Sequence, residues 1–153
     1  MKNIKKILII IQRSNGDVFL SRSLIEQLQK NLKPKSMDLL VNDDTLPIAK
    51  LIPHIGQIYT FSYLKKKNTQ WAQEKDLIKK IFRKYDLSIN LTASDRSVLY
   101  TILASKNAIS AVEKNSKKSW WKKLLLKGTY HFDFSKHILL NNLEPLRCMG
   151  SAL

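Results

Sequence analysis

Residues 9–25 read IIIQRSNGDVFLSRSLI. Ile7 to Ile11 is a continuous apolar run, mostly β-branched, the pattern of a strand covered on both faces. It runs into Arg13-Ser14-Asn15-Gly16-Asp17, and from Asp17 the spacing becomes helical: Val18, Leu24, Ile25, Leu28 and Leu32, with Pro34 as a stop. A strand that passes through a short loop into a helix is where many α/β proteins bind phosphate. The usual chemistry for that is missing. A dinucleotide fingerprint needs three glycines, and only Gly16 is present; no Gly-Lys-Ser/Thr follows, so a P-loop fails too. What remains is an acid at a helix start. Asp17 either caps the helix and complements its dipole, or offers a carboxylate at the mouth of a cleft as a general base.

Working outward, strands and helices alternate. Residues 37–41 (MDLLV) predict a second strand, and Asp43-Asp44-Thr45 a helix start leading into a short helix around Ile48 to Ile52. Residues 56–61 (GQIYTF) predict a third strand. After Lys65-Lys66-Lys67, the residues Trp71, Leu77, Ile78, Ile81 and Phe82 predict a helix ending near Tyr85. Residues 86–92 (DLSINLT) and 107–112 (NAISAV) predict strands four and five. Between them Ser94 is the expected N-cap of a helix carrying Val98, Leu99, Ile102 and Leu103. The following KNSKKSWWKKLLLKGTYHFDF is basic and aromatic, with no turn order to read. A last helix is expected between Lys136 and Met149, its limits blurred by Pro145. The pattern predicts an α/β fold: a Rossmann-like parallel sheet flanked by helices, one domain over residues 1–150 with right-handed crossovers. Ligands of such folds gather at the carboxyl ends of the strands.

The chain has 153 residues, enough for one domain with its own core. Twenty-seven Lys and Arg against twelve Asp and Glu leave a formal net charge of +15. So basic a chain is expected to meet an anionic partner: nucleic acid, a membrane surface or a phosphorylated substrate. Cys148 is the sole cysteine, which excludes an intrachain disulfide and suits a reducing compartment. The opening MKNIKKILIII begins like a signal peptide, but the apolar run stops at Gln12 with no small-residue cleavage site after it. No apolar stretch approaches the ~20 residues that cross a bilayer. The expected location is cytoplasmic, with at most a peripheral membrane contact.

Other strand ends carry polar clusters. Thr92-Ala93-Ser94-Asp95-Arg96-Ser97 is either a well-capped helix start or a shelf for a hydroxyl-rich ligand. Lys65, Lys66 and Lys67 form either a solvated loop or a phosphate-gathering one. Lys117-Lys118-Ser119-Trp120-Trp121-Lys122-Lys123 suits a lipid headgroup zone or single-stranded nucleic acid, unless a tryptophan packs into the core. His54, His131, His137 and Cys148 share no metal-ligand spacing, so no metal site is expected. There is no Gly-x-Ser-x-Gly elbow.

Taken in order, these residues resemble a known family. Ser14-Asn15-Gly16-Asp17-Val18, directly after a strand, is similar to the Ser-x-Gly-Asp-Val/Ile opening of glycosyltransferase family 9, the bacterial lipopolysaccharide heptosyltransferases. Tyr85-Asp86-Leu87-Ser88-Ile89-Asn90-Leu91-Thr92 resembles that family's Tyr-Asp-hydrophobic strand. Residues 92–97, Lys118-Ser119-Trp120-Trp121, and His137 followed by Asn142-Leu143 resemble one of its branches. The resemblance implies the N-terminal half of a GT-B architecture, in which one Rossmann-like domain holds the acceptor and a second, absent here, holds the donor. It implies inverting transfer of heptose from ADP-heptose to Kdo–lipid A or the inner core, with no metal or other cofactor. By this resemblance Asp17 is the catalytic base. Ser14, Asn15, Gly16, Lys65, Lys66, Lys67, Thr92, Ser94, Asp95, Arg96, Lys117 and Lys118 are acceptor-binding, with Gly16 allowing the tight turn before the base. Family members run to roughly twice this length, so little or no transfer is expected of the chain alone, and the ADP-heptose donor would bind only if a C-terminal half were supplied. Two other readings stay open: a basic α/β nucleic-acid-binding domain, against which stands the lack of any recognisable reading motif, and a truncated fragment without function.

Overall fold

The structure is a computed structural model that describes residues 3–65, 67–112, 120–131 and 143–149. Six parallel strands form one sheet in the order β3-β2-β1-β4-β5-β6. They are β1 (Lys6–Ile11), β2 (Ser36–Asn42), β3 (Ile55–Phe61), β4 (Leu87–Asn90), β5 (Ala108–Val112) and β6 (Gly128–His131). The helices are α1 (Asn15–Leu20), α2 (Arg22–Leu32), α3 (Leu46–Ala49), α4 (Lys67–Ile81), α5 (Asp95–Ala104), α6 (Trp120–Leu125) and a last one, α7, over residues 143–149. The strand order reverses between β1 and β4, the kind of switch point at whose carboxyl edge ligands of such folds gather.

The continuous apolar run of β1 is explained by its place at the centre. Ile7, Ile9 and Ile11 pack with Val18, Leu24, Ile25 and Leu28 of α1 and α2 on one face. Leu8 and Ile10 pack with Leu77 and Ile81 of α4 and Tyr100 and Ala104 of α5 on the other. Alternate residues of one strand thus serve two separate layers. Each fully buried aliphatic side chain contributes about 1.5–3 kcal/mol.

The structure amends the sequence reading in four places. The first helix starts at Asn15, not Asp17, and is broken at Ser21, where the Ser21 hydroxyl donates to the Val18 carbonyl at 2.6 Å. It closes at Lys33 in the left-handed conformation (φ 45°), whose N–H bonds the Gln29 carbonyl at 3.2 Å, before Pro34 can interrupt it. The short helix after β2 is Leu46–Ala49, preceded by a 3-10 turn at Asp43–Thr45, rather than Ile48 to Ile52. Finally, the segment without readable turn order contains α6 and a sixth strand. β6 is four residues long with only Tyr130 buried, too short for a period-two pattern to stand out.

Candidate functional site

β1 ends at Ile11, at the carboxyl edge of the switch point. Ser14, with extended backbone (φ −65°, ψ 165°), is the N-cap residue of α1, and its carbonyl accepts the first helical bond, from the Val18 N–H at 3.0 Å. Its hydroxyl does not cap the backbone; it donates to Asp17 Oδ2 at 3.0 Å. The Arg13 guanidinium, one turn earlier, donates through Nε to the same oxygen at 2.9 Å. Asp17 Oδ1 has no hydrogen-bond partner among the described residues, and the Asp17 side chain is 20% exposed. The carboxylate is therefore oriented through one oxygen and open through the other. It lies in the first turn, where its charge complements the helix dipole, but it accepts no backbone N–H among the described residues.

Gly16 does not make the tight turn expected of it. It lies inside α1, and no glycine among the described residues has positive φ. A Cβ at Gly16 would meet nothing within 4 Å. Neither backbone geometry nor packing requires glycine here, although glycine costs a helix about 0.5–1 kcal/mol relative to alanine. Asn15, also exposed, is the first residue of α1.

Gln12, which the sequence reading passed over, binds the two sides of the switch point together. Its N–H donates to Thr92 Oγ1 at 2.9 Å. Its side chain is buried, and both amide atoms, Oε1 and Nε2, have no hydrogen-bond partner among the described residues. At the end of β2, one step beyond the Ile11–Val41 pair, Asn42 Oδ1 is likewise buried and without a partner among the described residues. Groups left in this state cost about 1–3 kcal/mol each, and such exceptions in a native fold call for an explanation.

The β4–α5 junction is the opposite case. Asn90, fully buried, reaches the Thr92 carbonyl at 2.5 Å and the hydroxyls of Ser110 and Ser97 at 2.9 and 3.1 Å, and its Oδ1 accepts from the Thr92 N–H at 3.0 Å. Ser94 caps α5, accepting from the Ser97 N–H at 3.3 Å. Asp95 pairs with Lys122 Nζ of α6 at 2.5 Å. Arg96 Nε pairs with Glu74 at 2.8 Å, with its guanidinium 4.7 Å from the Phe61 ring centroid and 5.5 Å from that of Tyr63. Glu74 also accepts from the Tyr100 hydroxyl at 3.0 Å, and burial raises the pKa of that phenol.

Lys65 is exposed in the loop after β3, a loop that α4 ties down: Gln70 Nε2 donates to the carbonyls of Tyr63 and Lys65 at 3.0 and 2.8 Å, and Gln73 exchanges bonds with Ser62 at 2.9 and 3.2 Å. Lys67 opens α4. Lys66, Lys117, Lys118 and His137 lie outside the described residues. Trp121 packs, partly buried, against the cluster of Val98, Ala108, Val112 and Leu126, and Lys122 beside it is buried. The carboxyl edge thus brings Arg13, Ser14, Gly16 and Asp17 together with Gln12 and Thr92. Lys65 is at the end of β3, two strands from β1, a lateral separation of about 10 Å at ordinary strand spacing. Among the described residues no three His, Cys, Asp or Glu side chains gather as metal ligands.

No family model matches the chain. It is 30% identical over 114 residues to lipopolysaccharide heptosyltransferase 3 of Escherichia coli, an alignment that takes in 72% of this chain and 34% of that protein. It is 28% identical over 152 residues to the protein of the same name in strain K12, covering 90% of this chain and 40% of that one. Its fold superposes on the glycosyl transferase family 9 structure from Veillonella parvula with a TM-score of 0.80 at 15% identity, over 98% of this chain and 42% of that one. The chain is thus similar in sequence to lipopolysaccharide heptosyltransferases, and its fold is that of the glycosyl transferase family 9 structure. Another structural relative, the E. coli heptosyltransferase WaaC with ADP-2-deoxy-2-fluoro heptose, aligns with a TM-score of 0.73 at 16% identity, over 97% of this chain and 48% of that one. The chain spans less than half the length of each of these proteins.

Proposed function

We propose that this chain is the acceptor-side domain of an inverting glycosyltransferase that adds heptose from ADP-heptose to the inner core of lipopolysaccharide. The observation that carries the proposal is the Asp17 carboxylate at the switch point, held through Oδ2 by Arg13 and Ser14 and open at Oδ1. In this reading an acceptor hydroxyl docks over Gly16, where the missing side chain leaves open space, and Oδ1 takes its proton as the oxygen attacks the anomeric carbon. The glycosidic bond forms as the bond to ADP breaks, so one base on the acceptor side suffices and no metal is needed for this step. The net charge of +15 suits a phosphorylated and carboxylated glycolipid such as Kdo–lipid A. Among the described residues no helix is long and apolar enough to cross a membrane, and the proposed contact with the inner membrane is peripheral, on its cytoplasmic face. Ser14, Asn15 and Gly16 line the acceptor's approach, with Lys65, Lys66, Lys67, Lys117 and Lys118 gathering its anionic groups. Thr92, Ser94, Asp95 and Arg96, expected from the resemblance to bind the acceptor, act in this reading chiefly by bracing the neighbouring junction.

Two measurements test this. Kdo–lipid A in detergent should bind the purified chain and resist displacement by a single-stranded oligonucleotide at physiological salt; preferential binding of the oligonucleotide would favour a nucleic-acid-binding domain instead. Heptose transfer from ADP-heptose should be negligible for the chain alone and appear when a donor domain of the family is supplied. Robust turnover without one would refute the division of labour proposed here.

A further inference from the structure

Apart from the switch point, one side of α4 carries large exposed side chains, of which Phe82 meets the Arg83 guanidinium 5.8 Å from its ring centroid. Trp71 and Phe82 are 62% and 50% exposed, and Leu64, in the loop before the helix, is 93% exposed. Counting on from Trp71, Lys75, Lys79 and Phe82 follow at i+4, i+8 and i+11, so the four line up along one side of the helix and its last turn. The core uses a different side, the one bearing Leu77 and Ile81. Lys65, Lys75 and Lys79 are exposed and form no ion pair among the described residues.

We propose that this strip, from Leu64 to Phe82, is the surface on which the protein rests against an anionic phospholipid membrane. Large apolar side chains interleaved with lysines match a bilayer interface, where rings and aliphatic groups enter the acyl boundary and ammonium groups meet headgroup phosphates. A protein partner fits less well: the apolar groups are spread along about 16 Å of helix with lysines between them, whereas the core of a protein interface is depleted of lysine. Single-stranded nucleic acid fits less well too, because the strip is convex and Leu64 offers no face for stacking. The placement also makes sense of the switch point. Leu64 follows β3 at the same carboxyl edge as Asp17, so this end of the strip would hold the bilayer beside the site where a lipid-borne acceptor must arrive. The proposal names the surface for the membrane contact in the reading above and rests on that reading.

Flotation of the purified chain with vesicles of phosphatidylcholine and phosphatidylglycerol tests it. The wild-type chain should partition onto these vesicles and not onto pure phosphatidylcholine. Leu64→Ser/Trp71→Ser should weaken that partition by about tenfold or more, while Leu51→Ser, which removes another exposed leucine elsewhere (70% exposed), should leave it unchanged. All of these side chains are on the surface, so the variants should keep the wild-type urea midpoint. Equal partition of the double variant and the wild type would overturn the proposal. So would displacement of the protein from vesicles by single-stranded oligonucleotide, or a concentration-dependent dimer in sedimentation that the double variant abolishes. The vesicles contain no sugar donor or acceptor, so the assay stands even if the transferase reading fails.

Discussion

The two strand–helix junctions that flank the switch point are built from similar residues and behave differently. At β4–α5, hydroxyls, an amide, an acid and an arginine satisfy one another: Asn90 binds Thr92, Ser97 and Ser110, Ser94 caps its helix, Asp95 takes Lys122 and Arg96 takes Glu74. At β1–α1, among the described residues, Asp17 keeps one oxygen open, Gly16 faces open space, and the Gln12 amide is buried without a partner. Polar density alone does not distinguish a site from a brace. What distinguishes them is whether the polar groups already have partners inside the chain, because a satisfied group has little left to offer a ligand and an unsatisfied one costs stability until something binds it.

The sharpest way to break this contrast is to exchange the two outcomes, activity and stability. In a transferase completed with a donor domain, Asp17→Asn should lower turnover by about 10²–10⁴-fold. Acceptor affinity should change little, and the urea-derived stability by less than about 1 kcal/mol, since a partly exposed pair is worth little. A loss of several kcal/mol in folding with turnover preserved would make Asp17 a brace as well. Asn90→Ala should do the reverse. Removing a fully buried amide with several partners should cost about 2–4 kcal/mol in urea unfolding, and any loss of acceptor binding should track the unfolded fraction.

The packed fold as a whole also has a pH signature. Burial raises the pKa values of Tyr85, Tyr100 and Tyr130; for Tyr85 a hydrogen bond to Asp38 Oδ2 at 2.6 Å adds to it, and for Tyr100 the charge of Glu74 does. These phenols stay protonated in the fold while the unfolded chain ionises near the ordinary value of about 10. Their contribution is therefore complete below pH ~10 and falls as pH rises beyond it, by up to about 1.4 kcal/mol per pH unit for each tyrosine. Tyr85→Phe should make that alkaline decline shallower by one proton's worth, read from urea midpoints across pH 8–11; an unchanged slope would remove Tyr85 from the account.

The smallest effects belong to the open junction. Gln12→Leu should raise stability by about 1 kcal/mol by removing the unpartnered amide and weaken acceptor binding. Gly16→Ala should raise stability by about 0.5–1 kcal/mol, with no clash to offset it, while impeding the acceptor. If either variant stabilises the fold and leaves acceptor affinity untouched, that residue does not touch the acceptor.

Much of this architecture is legible in the chain itself. A fully buried central strand must be apolar on both faces, and Ile7–Ile11 is; an acid directly after it, at a helix start, is visible by eye. Ser94 as a cap is equally plain, since its side chain answers a local need of the first turn. The sixth strand was not legible, because four residues with one buried side chain carry no period, and neither was the break at Ser21, which depends on a single hydroxyl bonding the carbonyl of Val18.

By itself, then, the sequence determined the layer order of strand and helix and the identity of the acid at the first junction, since both follow from local patterns of burial and backbone demand. Only the tertiary structure decided which polar groups remain available. Asp95 and Arg96 look free in the chain and are taken by Lys122 and Glu74 from other helices; Gln12 looks like an ordinary loop residue and is buried without a partner among the described residues. Partners that lie far apart in sequence come together only when the sheet is assembled, so the difference between a brace and an open site is a property of the packed fold.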